Sequence, residues 1–197
     1  MIGMRSGMPI AKSMIRPLLL PWPRRLLLLL PLLLCSAVQQ PRDAEKDTTS
    51  ILQANYIYNI AKLVEWKDPE MRQGNFIIGV LGGANLYQEL IKQYSTRTIG
   101  KQPIEVRKLP RTADPERCHM LFVGKSELAL MPEILKNLKG KPTLMVTEYT
   151  GALEDGAVVN FVKVDNLLKY ELSMLNAKEH GLVVGLTLKN LAHRVEE

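Results

Sequence analysis

The chain of 197 residues carries 26 Lys and Arg against 20 Asp and Glu, a formal charge of +6. Five of those basic residues (Arg5, Lys12, Arg16, Arg24, Arg25) and no acidic one lie in the first 37 positions, leaving 21 basic and 20 acidic residues beyond them. That near-neutral remainder excludes the basic footprint of a nucleic-acid binder, and residues 38–197 have the size of one domain with a sizeable core.

The N-terminal stretch has the order of a secretory signal. Its basic section is followed by the apolar run Leu26–Leu30, Pro31 and Leu32–Leu34, and then by the small-residue end Cys35-Ser36-Ala37. A transmembrane helix needs about 20 apolar residues; this run is far shorter and is broken by Pro31. Residues 1–37 are therefore expected to be a removed signal peptide, with Met8 and Met14 as alternative starts. Two endings fit: cleavage after Ala37, or lipid attachment at Cys35. Leu34 counts against the second, because a lipoprotein cut wants a small residue there. With Cys35 gone, Cys118 is the only thiol, and no internal disulfide is expected. Its setting, Cys-His-Met-Leu-Phe-Val, reads as a buried strand, so Cys118 is either a small buried hydrophobe or a thiol for intermolecular or redox chemistry.

Residues 38–49 are polar at their start and aperiodic, and are expected to form a flexible leader. The pattern Ser50-Ile-Leu-Gln53 suits a capping box that opens a helix reaching about Trp66. Its inner face is predicted at Leu52, Tyr56, Ile60 and Leu63, flanked by Ile57 and Val64. Lys67-Asp68-Pro69 stops it. Phe76–Leu81 reads as a buried strand closed by Gly82-Gly83, and Leu86, Leu90, Ile91 and Tyr94 mark a second helix. Pro103–Leu109 is predicted to be a half-covered strand, and His119–Val123 a central one covered on both faces. Ser126 is placed as the cap of a third helix with Leu128, Met131, Leu135 and Leu138 inward, ended by Gly140 and Pro142. Thr143–Thr147 is another buried strand. Ala157–Val164 and Lys169–Leu175 flank Asp165-Asn166 as a hairpin. A short segment, Ala177–His180, and a last helix around Leu186–Val195 complete the chain. Alternating strands and helices predict an α/β fold of three layers over residues 50–197. Its sheet is mostly parallel and flanked by helices, with a C-terminal antiparallel hairpin and a terminal helix.

No catalytic constellation is legible. Gly82-Gly83-Ala84 joins a strand to a helix but lacks the spacings of phosphate-binding loops, so it reads as a tight turn. His119, His180 and His193 stand apart, with no thiol pair or carboxylate at metal-ligand spacing; no metal and no cofactor is expected, and His119 reads as a structural histidine. No nucleophile elbow is present, and Glu154-Asp155 look like solvated turn residues. What remains is positional. Gly82, Lys125, Ser126 and Glu148 follow successive central strands, and would share the carboxyl edge of the sheet, where open α/β folds bind ligands.

Taken in order, several segments carry a resemblance. They are Ala54–Trp66, Phe76–Gly82, Ile99–Arg107, Cys118–Val123, Gly156–Val162, and Lys169–Asn176 before Gly181 and Leu191-Ala192. The chain resembles the YfiR family of periplasmic proteins over nearly all of residues 50–195. The resemblance implies a periplasmic, non-enzymatic α/β domain, often a homodimer. In its best-known member the partner is a membrane-bound diguanylate cyclase, whose repression lowers cyclic-di-GMP output and biofilm formation. The partner of this chain is expected to be an inner-membrane signalling protein, a diguanylate cyclase or a histidine kinase. Some relatives pair a cysteine at the position of Gly79 with the one matching Cys118, and others add a pair near the last hairpin; both pairings are absent from this sequence. The first expectation is thus a non-enzymatic regulator that binds the periplasmic part of such a partner, through exposed parts of the first helix or the edge strand. The second is a periplasmic small-ligand binding module using Gly82, Lys125, Ser126 and Glu148.

Overall fold

A computed structural model describes the backbone of residues 42–111, 115 and 117–197, with side chains from Thr48 onward. The predicted signal peptide, Cys35 included, lies outside the described residues. The first helix, α1 (Arg42–Leu63), begins eight residues before the expected Ser50. The expected leader is thus helical from Arg42, in keeping with the strong helix formers Ala44, Glu45 and Lys46. Ser50 is a buried residue inside the helix rather than its cap, and Gln53 reaches Glu148 instead of turning back to a helix end. The helix also stops earlier than Trp66. Val64–Trp66 is a short strand, β1, paired antiparallel with β9 (Leu182–Val184).

The main sheet has eight strands in the order β10-β8-β7-β6-β5-β2-β4-β3. Its parallel centre is β4 (Gln102–Lys108), β2 (Phe76–Leu81), β5 (Met120–Val123), β6 (Leu144–Thr147) and β7 (Val159–Val164). Every residue of β5 and β6 is buried, as continuous apolar runs covered on both faces should be. The β7–β8 hairpin turns at Asp165 and Asn166, both with positive φ (50° and 61°), the geometry that a two-residue turn matched to strand twist demands. After β8 (Leu167–Ser173), the chain forms α4 (Met174–Glu179), β9, α5 (Leu186–Leu191) and β10 (Arg194–Glu196). The expected last helix is therefore shorter, and its final residues add a strand parallel to β8. At the opposite edge, the two-residue β3 (Thr98–Ile99) pairs with β4.

The two faces are packed by different helices. On one side α1 and α2 (Ala84–Tyr94) cover Phe76, Ile78, Val80, Met120, Phe122, Leu144 and Val146. Within α1 the buried residues are Ser50, Gln53, Ala54, Ile57, Ile60 and Ala61, while Leu52 stays 40% exposed. The inner face is rotated from the predicted one, because Ala54 and Ala61 let the helix lie close to the sheet and Gln53 has a partner there. On the other side, a 3-10 helix over Lys125–Leu130 and α3 (Met131–Leu138) cover Leu81, Leu121, Val123 and Met145. Met131, Ile134 and Leu138 point inward, and Leu128 and Leu135 are half-buried. Ser126 does not cap this segment. Gly124 is its N-cap residue, without a side-chain bond.

The sheet fixes where a site can form. From β2 the chain passes through α2 to β4 on one side; it then returns to β5 on the other side of β2, and the helices after β5 lie on the opposite face. The carboxyl ends of β2 and β5 are thus a topological switch point, which leaves a crevice between diverging connections.

Candidate functional site

The crevice is a cleft of about 1140 Å³ at the carboxyl edge of the sheet. Its floor is built by glycines. Gly82 has φ +79°, and a Cβ there would lie 2.4 Å from Glu127 Cγ. A Cβ on Gly124 would sit 2.9 Å from the Gly82 carbonyl oxygen, so the turns after β2 and β5 touch backbone to backbone. The Gly124 amide donates to the Leu81 carbonyl (2.9 Å) and ties them together.

Gly82, Lys125 and Glu148, singled out by position alone, all line this cleft. Ser126 is not part of its lining: its hydroxyl lies 3.4 Å from the Gly82 carbonyl oxygen and 3.2 Å from Glu127 Oε1. Glu148 is held from two sides. The Gln53 amide Nε2 donates to Oε2 (2.9 Å), and the Lys125 backbone N–H approaches Oε1 (3.4 Å). Gln53 is only 4% exposed, so α1 supplies a buried donor that orients a half-buried carboxylate. Lys125 itself is exposed. The cleft continues over Gly83, Ala84 and Asn85 at the start of α2, and its apolar wall includes Leu86, Phe122, Phe161 and Leu168.

Below the floor, Glu127 is buried and faces Arg111. Arg111 Nη2 donates to Oε1 (3.3 Å); Nε lies 2.7 Å from Oε2 but is not aimed at it, so that oxygen has charge compensation without a hydrogen bond. Beside the cleft, Thr147 and the Tyr149 backbone N–H both donate to Asn160 Oδ1 (3.0 Å each), and Asn160 Nδ2 donates to Glu171 (3.1 Å). Arg194 on β10 then pairs with Glu171 (3.0 Å). Thr147, Asn160, Glu171 and Arg194 are register partners, forming one polar row across four strands. Burial and the hydrogen bond to Asp155 raise the Tyr149 phenol well above its usual range.

The opposite end of the same strands is closed. Met71 offers its carbonyl to His119 Nε2 (2.5 Å), while the Ile77 N–H donates to His119 Nδ1 (3.0 Å), which sets the imidazole as neutral with its proton on Nε2. Burial holds the His119 pKa below its usual value, opposed by the bond to Met71. The ring stacks on Phe76 (4.4 Å between centroids), and Trp66 meets both rings edge-on. Trp66 Nε1 donates to Pro142 O (2.9 Å), and His180 bonds Lys141 O (2.8 Å). His119 is thus a satisfied structural histidine. Cys118 is 2% exposed, and burial pushes its thiol up to about 11. That is the setting of an inert thiol. A Cβ on Gly79 would lie 2.8 Å from Cys118 Sγ, so these two positions adjoin, as the paired cysteines of relatives would require. Among the described residues no group of three or more His, Cys, Asp or Glu is placed to hold a metal ion.

The YfiR/HmsC-like family matches residues 50–193, from the buried Ser50 of α1 to the residue before β10. The chain belongs to that family. No curated protein matches it. The YfiR/HmsC-like match takes in the eight-stranded sheet except β10, and all of the cleft except Thr49. Among the described residues no helix is long and apolar enough to cross a membrane.

Sequence reasoning missed Gln53, the start of α2 and the aromatic wall. Gln53 was detectable: it stands four and seven residues before Ile57 and Ile60, a polar side chain in register with a buried apolar stripe. Phe161 gave no such signal, because a hairpin strand with one buried face always carries residues of this kind.

Proposed function

We propose that this YfiR/HmsC-like protein is a non-enzymatic periplasmic regulator. It binds the outer part of an inner-membrane signalling protein, a diguanylate cyclase or a histidine kinase, and shifts its output. The observation that carries this reading is the family match over residues 50–193; the export signal read in residues 1–37 supports it by placing the chain where membrane sensors expose their outer domains. The mechanism needs no chemistry on the chain. A binder that prefers one conformation of its partner moves that partner's population by its differential affinity alone. Ile51 and Leu52 stay exposed on α1 and are the first contact surface to alter. Tagged chain should recover a signalling protein from solubilised membranes, and deletion should change cyclic-di-GMP when that partner is a cyclase. Recovery of no signalling protein, together with unchanged cyclic-di-GMP, would sink the proposal.

The cleft favours a second reading, that the chain takes up a small ligand at Gly82, Lys125 and Glu148, without Ser126, as a sensing input or as a function in its own right. It is a hollow of about 1140 Å³ and lies at the switch point, where open sheets bind ligands. Thermal melting against a panel of small metabolites tests it: a saturable rise in Tm that is lost in Lys125→Ala supports the reading.

A further inference from the structure

The cleft presents two poles of opposite sign. One is Glu148, whose two oxygens each receive one donor, from Gln53 and from the Lys125 backbone. A carboxylate oxygen can accept more than one hydrogen bond, so Glu148 keeps acceptor capacity toward the cleft. Among the described residues no Lys or Arg side chain pairs with it. Its orientation is set by a buried amide rather than by a cation, which leaves its charge available to a ligand.

The other pole is the start of α2, an eleven-residue helix whose N-cap is Gly83 and whose first turn has no acidic residue. No side chain caps it, and among the described residues the backbone N–H groups of Ala84, Asn85 and Leu86 have no partner. Helix N-termini favour anions through these free donors and the aligned peptide dipoles. The exposed Lys125 adds a positive charge to the lining of the same cleft. A simple anion would meet the Glu148 carboxylate, and a simple cation would meet the helix end and Lys125. Each is disfavoured by one pole. A molecule carrying both charges satisfies both.

Size narrows the class. About 1140 Å³ lies just above the usual range of small-molecule sites, about 300 to 1,000 Å³. Leu86, Phe122, Phe161 and Leu168 give the cleft an apolar side. Resting on the cleft being a ligand site, we propose that its occupant is a short zwitterionic, peptide-like molecule. Its ammonium group meets Glu148, and its carboxylate meets the first-turn amides of α2 and Lys125.

The test is calorimetric titration of the purified chain with dialanine and trialanine, and with their N-acetylated and C-amidated forms. Acetate, putrescine and a nucleotide serve as single-pole controls. Free peptides should bind, and blocking either end should weaken binding about tenfold or more, the worth of one charge-assisted hydrogen bond. Glu148→Gln keeps the size and the Gln53 contact; it should weaken the free peptides and abolish the penalty for N-acetylation. Lys125→Ala should reduce the penalty for C-amidation. Melting curves of both variants show whether the fold is retained. Equal binding of free and blocked peptides overturns the proposal, as does peptide binding indifferent to both substitutions in folded protein. If only a single-pole control binds, and loses affinity in Lys125→Ala or Glu148→Gln, the zwitterion assignment fails while the ligand-site reading stands. If nothing binds and no metabolite raises Tm, both fall. Membrane capture of a signalling partner reads the regulatory proposal separately.

Discussion

The two ends of one set of parallel strands are built to opposite rules. At the amino end of β2, β5 and β6, polar groups are buried and matched: His119 has a donor and an acceptor in place, Thr143 Oγ1 donates to the Cys118 carbonyl (2.8 Å), and Trp66 donates to Pro142. At the carboxyl end, helix amides and a carboxylate face an open cleft with part of their bonding capacity unused. Matched groups lower the free energy of the fold, whereas groups left with spare capacity are what a ligand can use. Stability and recognition are therefore expected to separate along the strand direction.

That separation can be broken most severely at the closed end. Trp66→Ala removes a side chain packed on Phe76 and His119 and should cost about 3–5 kcal/mol, read as a lower urea midpoint. His119→Leu leaves the Ile77 N–H without its acceptor and takes one of two donors from the Met71 carbonyl, which Gln102 Nε2 still reaches (3.0 Å). It should cost about 2–3 kcal/mol. The same measurement applied at the open end should give less. Gly82→Ala forces a Cβ into a positive-φ turn beside Glu127 and Ser126, and about 1–3 kcal/mol is expected. Lys125→Ala, on an exposed side chain, should stay within about 0.5 kcal/mol of the parent. If Lys125→Ala proves as damaging as Trp66→Ala, the division between the two ends is wrong.

Acid sharpens the contrast further. His119 is neutral in the fold, and its pKa there lies below that of the unfolded chain. The unfolded state therefore binds the extra proton first. The contribution of His119 is complete above the unfolded value of about 6.5 and is lost as pH falls from there toward the folded pKa. Tm measured from pH 7.5 to 5 should fall, with a shallower slope in His119→Asn. An equal slope in both proteins would remove His119 as the cause. A smaller effect is expected at Cys118, whose buried thiol should react with a maleimide only as fast as the fold opens. Fast labelling in native buffer would contradict its placement.

Much of this fold is legible in the residues. The runs at Phe76–Leu81, His119–Val123 and Thr143–Thr147 are apolar without interruption, and such runs have little alternative to the centre of a covered sheet. The Asp165-Asn166 pair tolerates positive φ, so the hairpin could be read from two letters. Where reading failed, tertiary contact overrode a local pattern. Ser50 and Gln53 suit a capping box, yet Gln53 finds a better partner in Glu148, which is 95 residues away. Ser126 suits a helix cap, but the Gly82 turn lies close enough to take its hydroxyl. Strands β1, β3, β9 and β10 have two or three residues each, too short for any periodicity to register. The site was legible only as an address at the ends of strands. The second pole of the cleft is backbone, and backbone amides leave no letter in a sequence.

The polar row across the sheet has a mechanical consequence. It begins at the backbone of Tyr149, next to Glu148 in the cleft lip, and passes through Asn160 and Glu171 to Arg194 on the outermost strand. Asn160 is fully buried, so water cannot readily replace a bond broken there. When the lip moves, the Tyr149 amide must either leave Asn160 at that cost or draw the row with it. The lip and the far edge strand are in this sense two handles on one rod.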